Sequence, residues 1–186
     1  MSSIRVASRY AKSILELAIE KGILEEVHQD MQLLLTLDKA TPELGVMLNS
    51  PIVSSDKKLK ILKALFPEGS SELTLPFFEI VSKKNRDNVL MEIAKEFHNQ
   101  YNESKGIQLA TVTTTFPIDE KLKKEFIEIV KEISGLEKVE LIEKINPEII
   151  GGFILKVNDR QLDESLNSKL KALRLEFSQN LYEKKF

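Results

Sequence analysis

Two histidines, His28 and His98, are the side chains whose ordinary pKa suits acid–base work near neutrality. Each lies in a helical stretch among Glu, Gln and Asn, with no partner at metal-ligand spacing and no H-E-x-x-H pattern. Both read as surface histidines. The single glycine pair, Gly151-Gly152, opens a strand and has no following helix, so it cannot cradle a phosphate. It reads instead as a bulge or a close backbone approach. No G-x-x-x-x-G-K-[ST] or G-x-G-x-x-G loop occurs, and the carboxylates are scattered with no evident acid–base pair. With no cysteine, disulfides and thiolate metal sites are excluded. These residues predict no catalytic group, no cofactor and no metal: the chain does not read as an enzyme.

The elements around those residues change character part-way along the chain. Residues 1–105 read as helices punctuated by turn chemistry. The first is capped by Ser2 or Ser3 and runs to Lys21 before Gly22; the second spans Leu24 to Ala40. A short third, Glu43 to Leu48, follows Thr41-Pro42. The fourth, Asp56 to Leu65, is capped by Ser55 and ended by Pro67-Glu68-Gly69. The fifth runs from Ser71 to Lys84, and the sixth, capped by Asp87, reaches Ser104. After Gly106, the β-branched run Ile107–Thr115 predicts a strand. A helix follows with Leu122, Phe126, Ile129, Val130 and Ile133 on one face. Strands are expected at Val139–Ile145 and Gly152–Val157, with a turn at Asn158-Asp159-Arg160. A last helix runs from Ser165 to Tyr182. The expected fold is mainly α: an N-terminal six-helix bundle over 1–105, then a small α/β domain over 106–186.

The 186 residues suffice for one large or two small domains with ordinary cores, at 42% hydrophobic and 30% charged. Net charge is −2 and evenly distributed between the two parts. Neither part carries the basic excess of a nucleic-acid domain, and Phe153 is the one aromatic in the predicted strands, so an RNA-binding module is disfavoured. No apolar run approaches the ~20 residues of a membrane span. The N-terminus is amphipathic, unlike a signal peptide. The expectation is a soluble chain, monomeric in isolation, reaching a membrane only through a partner.

Two helices are more apolar than a bundle requires. In helix 1, Ile4, Ala7, Ala11, Ile14, Leu15 and Ala18 form an inward stripe. Val6, Tyr10 and Leu17, with Ser13 between, widen the apolar arc to roughly 220°, against the ~100° of an ordinary surface helix. In helix 5, Leu73, Phe77, Ile80 and Val81 form a stripe with Phe78 off it. Either these flanks are buried within the bundle, or they form an exposed groove for a partner helix. The last helix carries Leu166, Leu170, Leu173, Phe177 and Leu181 at near-heptad spacing. That stripe is expected to pack on its own sheet, with Leu181–Phe186 able to overhang.

Three segments carry a family resemblance. Arg9-Tyr10-Ala11-Lys12-Ser13-Ile14-Leu15 opens helix 1, and Lys84-Asn85-Arg86 separates the fifth and sixth helices. The most specific is Asn146-Pro147-Glu148-Ile149-Ile150-Gly151-Gly152-Phe153-Ile154-Leu155, followed by Asp159, Asp163, Ser165 and Leu170. Together they resemble, over essentially the whole chain, the delta subunit of F-type ATP synthases, counterpart of the mitochondrial oligomycin-sensitivity-conferring protein. Asn146 and Asn158 depart from the family's Asp and Gly; Asn tolerates positive φ, so the second turn can survive. Asp87 replaces a frequently apolar residue.

The resemblance implies a non-catalytic stator part that couples rotation to ATP synthesis and proton transport. The helical domain would bind the N-terminal helix of an alpha subunit between helices 1 and 5, through Val6, Tyr10, Ser13 and Leu17 with Phe77, Ile80 and Val81. The C-terminal domain would meet the b subunits of the peripheral stalk. The complex would place the chain peripherally at the cytoplasmic face of the bacterial plasma (inner) membrane. A helical adaptor with other partners is the alternative reading.

Overall fold

The computed structural model describes residues 3–66 and 70–178. The chain divides into two compact units, Met1–Ser104 and Lys105–Phe186. The first contains α1 (Ser3–Lys21), α2 (Leu24–Ala40), α3 (Glu43–Asn49), α4 (Ser55–Leu65), α5 (Thr74–Lys83) and α6 (Leu90–Ser104), with a 3-10 turn over Asp87–Val89. Helix α6 packs against α1 and α2, and α4 packs against α5. Ala7, Ala11 and Ala18 of α1 are buried, and such small side chains allow close approach between helices. Met31, Leu34, Leu48, Leu62, Phe78, Leu90, Ile93 and Phe97 fill the core.

Several local expectations are corrected here. Ser55 does not cap α4. Its hydroxyl donates to the Asp87 carboxylate at 2.7 Å, and Ser54 precedes the helix without a side-chain cap. Nor does Asp87 cap α6: it is buried, accepts from Ser55 and from Ser82 at 2.5 Å, and opens the 3-10 turn. Helix α5 starts at Thr74, three residues later than expected, because Asp30 of α2 accepts from the Ser71 amide and the Thr74 hydroxyl. Ile4 leaves the inward stripe and is 64% exposed near the start of α1. In α5 the roles of two residues are exchanged: Phe78 is fully buried against Phe66, with ring centroids 5.2 Å apart, and Ile80 faces out. The Ser2 cap and the Pro67–Gly69 stop lie outside the described residues.

The second unit is a four-stranded sheet with two helices. Its elements are β1 (Ile107–Thr114), α7 (Glu120–Ser134), β2 (Lys138–Ile145), β3 (Phe153–Val157), β4 (Arg160–Asp163) and α8 (Leu166–Ser178). Strand order is β2-β1-β3-β4: β1 and β2 are parallel across α7, and the other pairs are antiparallel. Alternation in β1 buries Gln108, Ala110, Val112 and Thr114. Ala110 and Val112 form a core with Leu155, Val157, Phe126 and Val130. Strand β4 was not expected. The Asn158-Asp159 turn returns the chain in register, Val157 opposite Arg160, with Asn158 at φ +51°. Gln108 and Asn158 exchange amide hydrogen bonds at 2.8 and 3.2 Å, which pins that turn to β1.

Helix α8 overturns the expectation that its leucines pack on the sheet. None of its described residues is buried. It is tied down at its start, where the Leu166 amide donates to Gly151 O at 3.0 Å and Asn167 Nδ2 to Glu148 O at 2.9 Å. Meanwhile α7 supplies the helical part of the core, through Phe126 and Val130. Leu181 and the Leu181–Phe186 overhang lie outside the described residues.

Candidate functional site

His28 and His98 are half-buried, not surface histidines. Their Nε2 and Nδ1 atoms are 3.1 Å apart across α2 and α6, and His28 stacks on Tyr101 with centroids 3.7 Å apart. The Tyr101 hydroxyl donates to Glu25 at 2.6 Å. Burial first, then that hydrogen bond and the Glu25 charge, push the phenol up to about 12. The cluster joins two helices. Among the described residues no group of three or more His, Cys, Asp or Glu is placed to hold a metal. No helix there is long and apolar enough to cross a membrane. Gly151 and Gly152 mark a close backbone approach, with Gly152 against Glu164.

The α1–α5 face is built from side chains that the bundle leaves partly uncovered. Tyr10 is half-buried, its ring edge-on to Phe77 at 6.2 Å and 72°. Arg86 completes the contact: its guanidinium lies 5.5 Å from the Tyr10 ring centre, and Nη1 donates to the Tyr10 hydroxyl at 3.1 Å. Val6 is half-buried beside Tyr10, and Ser13 is exposed with its hydroxyl turned back to Arg9 O at 2.9 Å. Leu17 is 44% exposed and Ile80 53%. Phe77 is nearly covered, and Val81, at 1% exposure, belongs to the core behind the face. Of the seven residues singled out from sequence, Val81 therefore offers no surface of its own.

The described part of α8 presents a second apolar face. Leu166, Leu170 and Leu173 are about half exposed and Phe177 86% exposed. Their 4-3-4 spacing is the interval of a coiled-coil seam. Ile150, also exposed, precedes the Gly151 carbonyl that holds the start of α8. It adopts φ +66°, unusual for a β-branched residue.

A family model described as the ATP synthase delta (OSCP) subunit matches residues 6–177, which includes both faces. The chain belongs to the ATP synthase delta (OSCP) family. Relatives named ATP synthase subunit delta support this along nearly the whole length. That of Cytophaga hutchinsonii is 42% identical over 181 residues, covering 97% of this chain and 98% of the relative. That of Flavobacterium johnsoniae is 33% identical over 178 residues, covering 96% and 99%. A chain of the Toxoplasma gondii mitochondrial ATP synthase hexamer shares the fold, with TM-score 0.75 at 21% identity over 94% of this chain and 98% of that one.

Within this delta-family chain, the residue missed by reading helices one at a time is Arg86. Lys84-Asn85-Arg86 carried the resemblance without a role. Its contact with Tyr10 bridges segments remote in sequence, which no local periodicity reports. The described part of α8 is also left without a buried residue in this chain, although amphipathic spacing alone predicts a packed helix.

Proposed function

We propose that this chain is the non-catalytic stator subunit of an F-type proton-translocating ATP synthase, joining the catalytic head to the peripheral stalk so that rotation is coupled to ATP synthesis. The six-helix bundle, residues 1–105, receives the N-terminal helix of an alpha subunit along Val6, Tyr10, Ser13, Leu17 and Ile80. Phe77 forms the floor of that face and Val81 supports it from the core. The observation carrying this reading is the exposure of Leu17 and Ile80 beside the Tyr10–Phe77 contact, in a chain of the delta family. An exposed isoleucine on a helix otherwise committed to a core contributes nothing to that core, and an amphipathic helix laid across it would remove it from water.

Residues 106–186 contact the b subunits of the stalk. The support is the uncovered α8 seam, whose 3.5-residue interval suits another helix. The chain itself supplies no catalytic group. It holds its place at the cytoplasmic face of the bacterial plasma membrane through the complex.

Calorimetry with a synthetic peptide of the alpha-subunit N-terminal segment tests the first contact. Saturable one-to-one binding to the full chain, lost in Ile80→Asp, is expected; absence of binding to the wild type would refute it. Pull-down of the soluble part of the b subunits tests the second, with Leu170→Asp and Leu173→Asp expected to abolish capture.

A further inference from the structure

The α1–α5 face is apolar along its length but cationic at one end. Lys83, the last residue of α5, and Lys84, which follows it, come three and four residues after Ile80 and so stand about one turn beyond it. Both are exposed, as is Arg86. None of these three cations has a carboxylate within ion-pair distance among the described residues. Glu79 is engaged at 2.5 Å by Lys63, with Lys83 acting on its charge more weakly from beyond ion-pair distance, and Asp87 is turned inward onto Ser55 and Ser82. Arg86 is held over Tyr10 by one N–H and its ring contact, which leaves the remainder of a five-donor fork to solvent. An apolar strip ending in a fixed guanidinium and two lysines is complementary to an amphipathic helix with carboxylates at one end.

Resting on the docking reading above, we propose that Arg86, with Lys83 and Lys84, selects an acidic residue of the docked helix and so sets the direction in which that helix lies. The Tyr10 hydroxyl and ring position the guanidinium; the apolar strip supplies the remaining contact. Charge then acts as a filter: an amphipathic helix of equal apolarity without the carboxylate is disfavoured.

The test uses the full chain and two peptides: the alpha-subunit N-terminal segment, and the same peptide with each Asp and Glu changed to Asn and Gln. At low ionic strength the acidic peptide should bind at least tenfold tighter, and the gap should close in molar salt as the charges are screened. Arg86→Gln should lose about tenfold toward the acidic peptide and nothing toward the neutral one, with Arg86→Lys intermediate. Lys131→Gln, the same charge change on an exposed position of α7, should leave both affinities unchanged. Melting curves confirm that each variant is folded, and Lys83→Gln/Lys84→Gln provides a second route if Arg86→Gln is not. If Arg86→Gln weakens both peptides equally, the residue only supports Tyr10 and acid selection is wrong. Equal affinity of the wild type for the two peptides overturns it too, while leaving the docking reading intact. If neither peptide binds, both fall together.

Discussion

A Cβ built on Gly152 would stand 2.2 Å from the carbonyl oxygen of Glu164, closer than any side chain is tolerated. Gly152 also has φ +75°. It lies where the start of β3 passes the segment leading into α8. Gly135, at φ +72° with nothing within 4 Å, shares the backbone condition without the crowding. Gly135→Ala should therefore cost only the left-handed term, about 1–2 kcal/mol. Gly152→Ala should cost clearly more, because Glu164 must move. Denaturant midpoints of the second unit, followed by a probe placed there, separate the two; equal midpoints would contradict the close approach.

Asp30 reaches from α2 to the start of α5. It is buried, and both of its donors, the Ser71 amide and the Thr74 hydroxyl, belong to a segment far away in sequence. Asp30→Ala leaves two donors unpaired, and should destabilise the helical unit by about 2–4 kcal/mol, with Asp30→Asn milder because it keeps an acceptor. Urea unfolding followed by helicity measures this, and an unchanged midpoint in Asp30→Ala would refute the role.

Ile80 and Val81 are adjacent in sequence but opposite in environment, at 53% and 1% exposure. Ile80→Asp should leave stability within about 0.5 kcal/mol, as surface changes usually do. Val81→Asp and Leu15→Asp should unfold the unit, since each places a carboxylate in the core. Circular-dichroism melts decide: an Ile80→Asp variant melting as early as Val81→Asp would mean that the α1–α5 face is internal packing.

Tyr101 makes alkaline stability pH-dependent. Its pKa is raised in the folded chain, to about 12 from the ordinary 10, so the neutral phenol is the form that folding favours. The contribution is complete below pH 10 and is lost as pH rises toward 12, where the unfolded chain has released the proton and the folded chain still holds it. Tyr101→Phe should lower stability at neutral pH and flatten the decline between these limits. Urea midpoints collected across that range provide the check; a mutant declining as steeply as the wild type would assign the alkaline loss to other groups.

Much of the helix layout and of the second unit's strand–helix alternation follows from local rules. Apolar residues at 3.6-residue spacing, Gly22 and Gly135 at helix ends and the β-branched run after Gly106 each act within a few residues of themselves. The inward stripe of α1 is legible for the same reason, as is the apolar excess at Tyr10 and Leu17. What periodicity could not assign is how two neighbouring apolar residues divide a helix surface. The α5 spacing puts Ile80 on the stripe and Phe78 off it, yet Phe78 goes inward against Phe66, just past the end of α4, and Ile80 faces out.

The polar side chains were misread for a related reason. Ser55 and Asp87 sit beside helix starts and qualify as caps by type, yet they bond to each other across segments remote in sequence. His28 and His98 look solvated in their own helices and pair only because α2 and α6 pack together. The leucines of α8 have the spacing of a buried stripe, but whether a stripe is covered depends on which helix reaches the core. By itself the sequence determined most of the elements, their order and the family, though not β4, because periodicity, turn residues and the Asn146–Leu155 motif are local properties. The tertiary structure alone decided which apolar residues remain on the surface and that Arg86 is held on Tyr10, because burial and long-range hydrogen bonds are relations between segments that no single segment contains.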